Sequence, residues 1–381
     1  MNAVAMDRGV SSGHVLITGG AGFVGSHLAD ELLAAGYRVR VLDNLGVQVH
    51  GTSISRPAYL SSDVELIRGD VRDPLAVTRA LRGVDAVFHF AAAVGVGQSM
   101  YEIERYTDVN NRGTAVLLQA LTNAPVQRLV IASSMSIYGE GLYRNAAGAI
   151  VNPPERSLER LRAGEWELAL DGSPLTPLPT PETKTPCPSS VYALSKYDQE
   201  RLGLLIGQAY GMSTVALRFF NIYGTRQALS NPYTGVLAIF AARYLNRKPP
   251  LIFEDGCQRR DFVSVRDVAR ACRLALTTPD IGGSVFNIGS GRSMSVSEIA
   301  QEMANALGID DLPPVITRKY RVGDIRHCFA DTTLAAKVLG YSPTVTLAEG
   351  LAELVEWISG QNAFDRVEAA SAELARRGLQ L

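Results

Sequence analysis

Thr18-Gly19-Gly20-Ala21-Gly22-Phe23-Val24-Gly25-Ser26 is the stretch on which the reading of this chain turns. It follows a short apolar run, His14–Thr18 (HVLIT), and opens a segment over 25–35 in which His27, Leu28, Leu32 and Leu33 recur at helical spacing. A strand, a glycine turn and a helix in that order serve three needs at once. Gly19 allows a tight turn, Gly22 lets the backbone approach a pyrophosphate, and Gly25 lets helix and sheet pack closely. The helix start adds unpaired N–H groups and the positive end of the helix dipole. Glycine-rich turns are common, but one flanked in this way points to a bound dinucleotide.

The next apolar run, 38–42 (RVRVL), is closed by Asp43, eighteen residues beyond Gly25. A carboxylate there accepts both hydroxyls of an adenosine ribose and repels a 2′-phosphate. The expected cofactor is therefore NAD rather than NADP.

Outward from this unit, apolar runs at 64–68, 86–90 and 129–132 alternate with helical segments at 75–81 and 114–121. Short strands interleaved with helices predict an α/β fold, a Rossmann-like doubly wound parallel sheet covered on both faces, with right-handed crossovers. Beyond it the pattern changes to helices and short strands between loops, which predicts a smaller C-terminal substrate-binding domain. The expected division is a dinucleotide domain over 13–218, to which 257–290 returns, and a substrate domain over 219–256 and 291–360. The tail 361–381 contains a charged amphipathic helix over 364–381. The stretch 140–188 interrupts the first domain, is rich in proline, and predicts only a short helix near 157–163. A loop that long is either a functional lid or a surface excursion.

Composition narrows the class further. The 381 residues suit two coupled domains, and 46% hydrophobic with 20% charged residues suits a sizeable core. Lys+Arg 37 against Asp+Glu 38 gives a formal charge of −1, without the basic excess expected of a nucleic-acid binder. The four cysteines (Cys187, Cys257, Cys272, Cys328) include no C-x-x-C pair, which excludes a zinc ribbon and disfavours a disulfide framework. The N-terminus lacks an apolar signal core, and no window approaches the roughly 18 apolar residues of a membrane span. The expectation is a soluble cytoplasmic protein with no metal, no membrane and no nucleic acid as partner.

Two further stretches carry chemistry. Tyr192-Ala193-Leu194-Ser195-Lys196 begins a helix over 192–210, in which Tyr192 and Lys196 share a face. A nearby ammonium, together with a positively charged nicotinamide ring, is expected to pull a phenol of ordinary pKa about 10 toward a usable base. Ser133-Ser134-Met135-Ser136-Ile137-Tyr138-Gly139 follows the strand at 129–132, at the carboxyl edge where parallel sheets bind their ligands.

In order along the chain come TGGAGFVGS, LDN (42–44), GDVRD (69–73), HFAA (89–92), SSMSIYG, YALSK, RFFNIYG (218–224), DGCQRRDFVSVRDV (255–268), FNIGSG (286–291) and RVGDIRH (321–327). This series resembles the extended short-chain dehydrogenase/reductases over about 13–350, and within them the NAD-dependent sugar-nucleotide epimerases and dehydratases. The resemblance implies Ser134, Tyr192 and Lys196 as the catalytic group, with Lys196 also holding the nicotinamide ribose. It implies a cofactor site of Gly19, Gly22, Phe23, Val24, Gly25, Asp43 and Asn44, with Asp70 and Val71 flanking the adenine. Phe90, Ala91 and Ala92 would line the cofactor by their backbone, Asn110 would be the family's buried asparagine, and Phe219 and Ile222 would also bind the cofactor. For the substrate it implies Asn221, Arg260 and Arg321 on a diphosphate, where a planar guanidinium fork suits phosphate oxygens, with Asp324 beside them. Val94, Gly95, Met135 and Ser136, together with Ser134, would face the sugar. His89 reads as a packed strand-end residue rather than a catalyst. The resemblance also implies a homodimer that pairs the 114–121 helix with the helix of Tyr192.

The residues after Ser134 bear on the reaction. Relatives that eliminate water carry Asp-Glu there, and relatives that decarboxylate a sugar acid carry Glu at the second position; this chain has Met135 and Ser136. That leaves epimerisation through a keto sugar, or net reduction of one, and a recycled NAD favours the epimerase. The expected substrate is a nucleotide-diphosphate sugar inverted at C4, with a dTDP-linked 6-deoxyhexose such as L-rhamnose foremost. Some bacterial relatives associated with that chemistry carry a long insertion here, with paired cysteines resembling a zinc knuckle; only Cys187 is present in this one. UDP-glucose/UDP-galactose 4-epimerisation and NAD(P)H-dependent reduction of a 4-keto sugar are the alternatives. A non-enzymatic NAD-binding sensor is disfavoured, because such proteins lose the Tyr or Lys retained here.

Overall fold

The computed structural model describes residues 9–52, 55–153, 156–233, 235–361 and 364–381. The main sheet is built from β1 (His14–Thr18), β2 (Arg38–Asp43), β3 (Glu65–Arg68), β4 (Ala86–His89), β5 (Arg128–Ser134), β6 (Ser213–Phe219) and β7 (Val285–Ile288). Their spatial order is β7-β6-β5-β4-β1-β2-β3, and every neighbouring pair is parallel. The register sets Val15 beside Val39, Ile17 beside Phe88 and Ala132 beside Leu217. Strands β1, β4 and β5 are buried along their whole length, as strands covered on both faces must be.

Helices α1 (Phe23–Ala34), α2 (Pro74–Ala80), α3 (Gly113–Asn123), α4 (Val191–Tyr210), α5 (Val236–Leu245), α6 (Val265–Thr277), α7 (Val296–Leu307), α8 (Leu347–Ser359) and α9 (Val367–Arg376) pack around it. Alternation along each strand divides the core in two. Val15, Ile17, Phe88 and Val130 meet Leu28 and Leu32 of α1 and Val268 and Cys272 of α6. Leu16, Val87, Leu129 and Ile131 meet Val77 of α2 and Leu117 and Leu121 of α3. The order turns back between β1 and β4, and a crevice opens outside the carboxyl ends of strands at such a switch point.

A second sheet carries Arg259–Ser264 between Asn221–Tyr223, parallel, and Ser293–Ser295, antiparallel, with His327–Cys328 alongside. Leu237 and Phe240 of α5, Ile299 and Met303 of α7, and Leu351 and Leu354 of α8 form its core. The expected return of 257–290 to the main sheet is corrected in its first part. Arg259–Ser264 stays with the second sheet, and the return is made by α6 and β7. Smaller differences are that α1 starts at Phe23 rather than at Gly25, that Phe90 lies past the end of β4, and that Ser133 and Ser134 are the last residues of β5.

The stretch 140–188 is folded well beyond the single short helix expected of it. Leu142–Arg144 pairs with Ile150–Val151 and with Thr176–Leu178, both antiparallel, over a small core of Tyr143, Leu168 and Leu175. Ser157 caps the helix Leu158–Arg162. Charge fixes the excursion to the second sheet. Arg326, wholly buried, bonds Glu254, Asp255 and Glu167, while Arg156 bonds Glu254 and the Asp324 carbonyl. Hydrogen bonds from His327 and Arg326 hold the Glu167 carboxyl at about 2.

Candidate active site

The glycine turn at the end of β1 is shaped by contacts that only glycine permits. Gly19 has φ 69°, and a Cβ there would stand 2.8 Å from the Ala91 nitrogen. A Cβ on Gly25 would stand 2.5 Å from Gly20 Cα. Gly22 is the N-cap of α1 and provides no side-chain cap, so first-turn N–H groups stay available to an anion. Asp43 ends β2 with Oδ2 accepting from Ala21 N (3.0 Å) and Oδ1 from Leu45 N (2.9 Å), which fixes its carboxylate beside the turn. Asn44 Nδ2 donates to Asp70 Oδ2, and the Arg72 guanidinium grips Asp70 and holds its carboxyl far below the usual range. Val71 is buried against Gly113.

Asn110 sits in a π-helical turn, Thr107–Arg112, fully buried. Its Oδ1 accepts from Ala93 N (2.7 Å), and its Nδ2 donates to Ala93 O (3.1 Å) and Ser195 Oγ (2.8 Å). It thereby ties the segment leaving β4 to α4. Phe90, Ala91 and Ala92 form that segment; the Phe90 ring meets Phe219 edge-on at 5.9 Å, and Phe90 N donates to Thr18 O. On the far side Asn221 Oδ1 is buried without a partner, and Ile222 is half-buried beside it. An uncapped helix start beside a pinned carboxylate fits a dinucleotide.

The catalytic candidates meet at the ends of β5 and α4. Ser134 Oγ accepts from Ser136 N (3.2 Å) and Ser136 Oγ (2.9 Å), and its hydroxyl opposes the rise that burial imposes on the Tyr192 pKa. Ser190 caps α4 by accepting from Ala193 N, Ser99 Oγ accepts from Tyr192 N (3.0 Å), and the Tyr106 ring stands at 86° to that of Tyr192. Lys196 Nζ donates to Gln199 Oε1 (2.6 Å), and burial lowers its pKa to about 7 against the pull of Glu200. Burial raises the Tyr192 pKa, with Ser134 alone opposing. His89 is enclosed, with Nδ1 2.8 Å from Thr18 Oγ1 and Nε2 2.9 Å from Thr114 Oγ1. Burial, then Lys196, depress its pKa to about 3, so it is a neutral packing residue.

Behind Ser134 lies a buried network in which Ser133, Tyr138, Arg218 and Asn287 belong to the motifs, while Glu200 at its centre lies outside them. Glu200 accepts from Ser133 Oγ (2.6 Å) and from Arg218 Nε (3.0 Å) and Nη2 (2.7 Å). Arg218 Nη1 reaches Tyr138 OH, which donates to Asn287 Oδ1. Gln199, three residues past Lys196 on the same face, carried the one available signal for the lysine's partner.

The substrate-side candidates are less uniform than expected. Arg260 donates to the carbonyls of Arg259, Ile325 and Arg326 and weakly to Asp324, so its fork is committed to the 324–326 loop. Arg321 donates Nη2 to Asp324 Oδ2 (2.9 Å), lies 4.7 Å over the Phe253 ring, and keeps a buried Nε without a partner. It therefore retains a donor for an incoming anion where Arg260 has been used structurally. Ser189 Oγ donates to Gly323 O, joining this loop to the start of α4. Ile325 packs on the cluster that contains Met135, which brings the serine segment alongside. Gly95, at φ 141°, lies against Tyr106 and Tyr233, and Val94 is exposed.

Asp43→Ala removes the carboxylate that would face the ribose, along with the acceptor for two turn amides. The expected result is NAD affinity lower by about tenfold, equivalent to roughly 1.4 kcal/mol, with discrimination against NADP relaxed. Calorimetric titration of both cofactors checks it, and an unchanged NAD/NADP ratio counts against the assignment.

A Ser/Tyr/Lys group facing a glycine turn and an acidic strand end across a parallel-sheet switch point defines a dinucleotide-dependent dehydrogenase/reductase of the extended short-chain class. The chain belongs to the NAD dependent epimerase/dehydratase family, whose model matches 15–162 and 167–289. It is 36% identical over 350 residues to dTDP-L-rhamnose 4-epimerase of Burkholderia thailandensis, covering 91% of this chain and 94% of the relative. It is 33% identical to UDP-glucose 4-epimerase of Mycolicibacterium smegmatis, covering 91% and 99%. Among solved structures, UDP-glucose 4-epimerase of Thermotoga maritima with UDP-glucose superposes with a TM-score of 0.73 at 32% identity, covering 91% of this chain and 98% of that one. The Thermus thermophilus UDP-glucose 4-epimerase complex with NAD gives 0.72 at 32%, covering 92% and 100%. The enzyme is thus an NAD-dependent epimerase of the nucleotide-sugar type.

Proposed function

We propose that this enzyme inverts C4 of a dTDP-linked 6-deoxyhexose, interconverting dTDP-L-rhamnose and dTDP-6-deoxy-L-talose. The observation that carries the reading is the pair after Ser134. Met135 is buried, and Ser136 turns its hydroxyl back onto Ser134. Neither moves protons as the Asp-Glu of a dehydratase does, and Tyr192 is the remaining proton carrier beside Ser134.

Tyr192 takes the proton of the C4 hydroxyl, and Ser134 beside it orients the reacting oxygen. The glycine turn, Asp43 and Lys196 would hold NAD, which would supply a reversible hydride acceptor. Asn221 and Arg321 anchor the diphosphate while the sugar ring turns over, and Val94 and Met135 offer an apolar wall with few hydrogen bonds to fix one face. In this division of labour the main sheet carries the cofactor and the second sheet the sugar nucleotide. The reading includes a homodimer, because Leu194 and Leu205 are exposed apolar residues on one face of α4.

The test is incubation with dTDP-L-rhamnose and with UDP-glucose, without added reductant, following C4 stereochemistry by NMR. Inversion of the rhamnose is expected. Preference for UDP-glucose replaces the sugar assignment with the second reading, which the likeness to several UDP-glucose 4-epimerases favours. If neither inverts and a 4-keto sugar is reduced on adding NADH or NADPH, the protein is a ketoreductase.

A further inference from the structure

We propose that the C-terminal segment 365–381 is a strap that sets the spacing of the two substrate-facing loops, with Arg377 as a positioning residue for the nucleotide sugar. The inference rests on the functional reading above and adds to it residues outside the family-matched region.

The segment is held at three places. At its start, buried Arg243 of α5 pairs with Asp365 and Glu368, both at 3.0 Å, and Lys248 adds a bond to Asp365. In the middle, Leu374 is the one residue of α9 that is buried, and it lies where a Cβ on Gly97 would be 3.4 Å from it. The Arg377 guanidinium stands 4.3 Å over the Tyr101 ring. At its end, Tyr320 N donates to Leu381 O (2.9 Å), Leu381 N to Tyr320 O (3.0 Å) and Val322 N to Leu379 O (2.9 Å), with Gln380 opposite Arg321.

These anchors fall on the two sides of the candidate cleft. Gly97 and Tyr101 belong to the segment whose Ser99 accepts from Tyr192 N and whose Tyr106 ring meets Tyr192. The paired stretch 320–322 flanks Arg321 with its unpartnered Nε. Tyr101 OH also lies 2.5 Å from Tyr233 OH, which extends the hold to the loop facing Gly95. A helix whose purpose was core packing would bury a continuous stripe. This one buries a single leucine, and the segment makes its other attachments through ion pairs to Arg243 and Lys248, a cation over an aromatic face and a strand-like pairing. The loop behind the catalytic tyrosine is thereby joined to the loop of the diphosphate arginine by a single segment of seventeen residues.

The experiment compares the full-length protein with Arg377→Ala and Arg377→Lys. It reads KM and kcat for dTDP-L-rhamnose, Kd for dTDP, bound NAD content, and amide hydrogen exchange. Arg377→Ala is expected to raise KM and the dTDP Kd by about tenfold, within the usual range of coupling between sites, with kcat and NAD content unchanged. Arg377→Lys, which keeps a cation over Tyr101, restores most of the loss. Exchange should quicken together at 95–106 and at 320–324 in Arg377→Ala, with the main sheet unaffected. Unchanged KM, or a fall of kcat and NAD content in step with it, overturns the proposal. If the native protein neither binds dTDP nor turns over either sugar nucleotide, the functional reading has failed, and exchange alone decides. Quickening confined to one loop or to none overturns the strap.

Discussion

Replacing Tyr192 by phenylalanine is expected to lower kcat by about a thousandfold while leaving the chain folded and NAD bound, in the range that one general acid–base group contributes. Phenylalanine keeps the ring that packs edge-on against Tyr106 and alters neither the Ser190 cap of α4 nor the bond from the Tyr192 amide to Ser99. Only the hydroxyl is lost, and with it the interaction with Ser134. Met135 and Ser136 offer no substitute acid or base. Steady-state turnover, with NAD released by denaturation and counted spectroscopically, checks both halves. Residual turnover above a tenth of the native rate removes Tyr192 from the role proposed for it.

Arg218→Met is expected to destabilise the fold by about 3–5 kcal/mol, the usual consequence of removing one partner from a buried ion pair. Glu200 is 1% exposed and receives two of the Arg218 donors, while a third supports Tyr138. Without the guanidinium, an uncompensated carboxylate remains in a dry interior. Urea midpoints of the native protein and the variant measure the deficit. Arg218→Met/Glu200→Gln, which removes the stranded charge, should regain part of the loss. No recovery in the double variant would mean that packing, not charge, is what Arg218 contributes.

What the sequence disclosed and what it hid follow from the range of the interactions involved. Strands β1, β4 and β5 are short apolar runs buried on both faces, and such a run reads as a strand wherever it lies, while β2 and β3 toward the sheet edge are partly exposed. The glycine turn and Asp43 form a local unit, legible because each requirement is met within twenty-five residues of the next. Strands β6 and β7 are not among the expected strands, although RFFNIYG and FNIGSG overlap them. The fold of 140–188 was hidden because its fasteners are distant: Arg326 to Glu167 spans 159 residues and Arg326 to Glu254 spans 72. Arg260 shows a different limit. Its place in a motif was visible, but not that three backbone carbonyls occupy its donors. The tail read correctly as containing a helix, and nothing local to it disclosed that Leu379 and Leu381 pair with the loop of Arg321.

The late arrival of β7 has a consequence for the chain as it is made. Val285–Ile288 is the last strand of the main sheet to be synthesised, and it pairs with β6 some seventy residues after β6 itself. Until it emerges from the ribosome, the nascent sheet presents β6 as an open edge, a row of unsatisfied N–H and C=O groups on an apolar strand. The intervening residues meanwhile begin a sheet that must await Ser293–Ser295 and His327–Cys328 for its other partners. Neither sheet can be finished before the other is under way, so the molecule matures as one unit rather than in sequence from its N-terminus. A fragment ending at Gly282 is expected to associate through that bare edge, which light scattering would register, whereas one extended through Gly289 closes the main sheet.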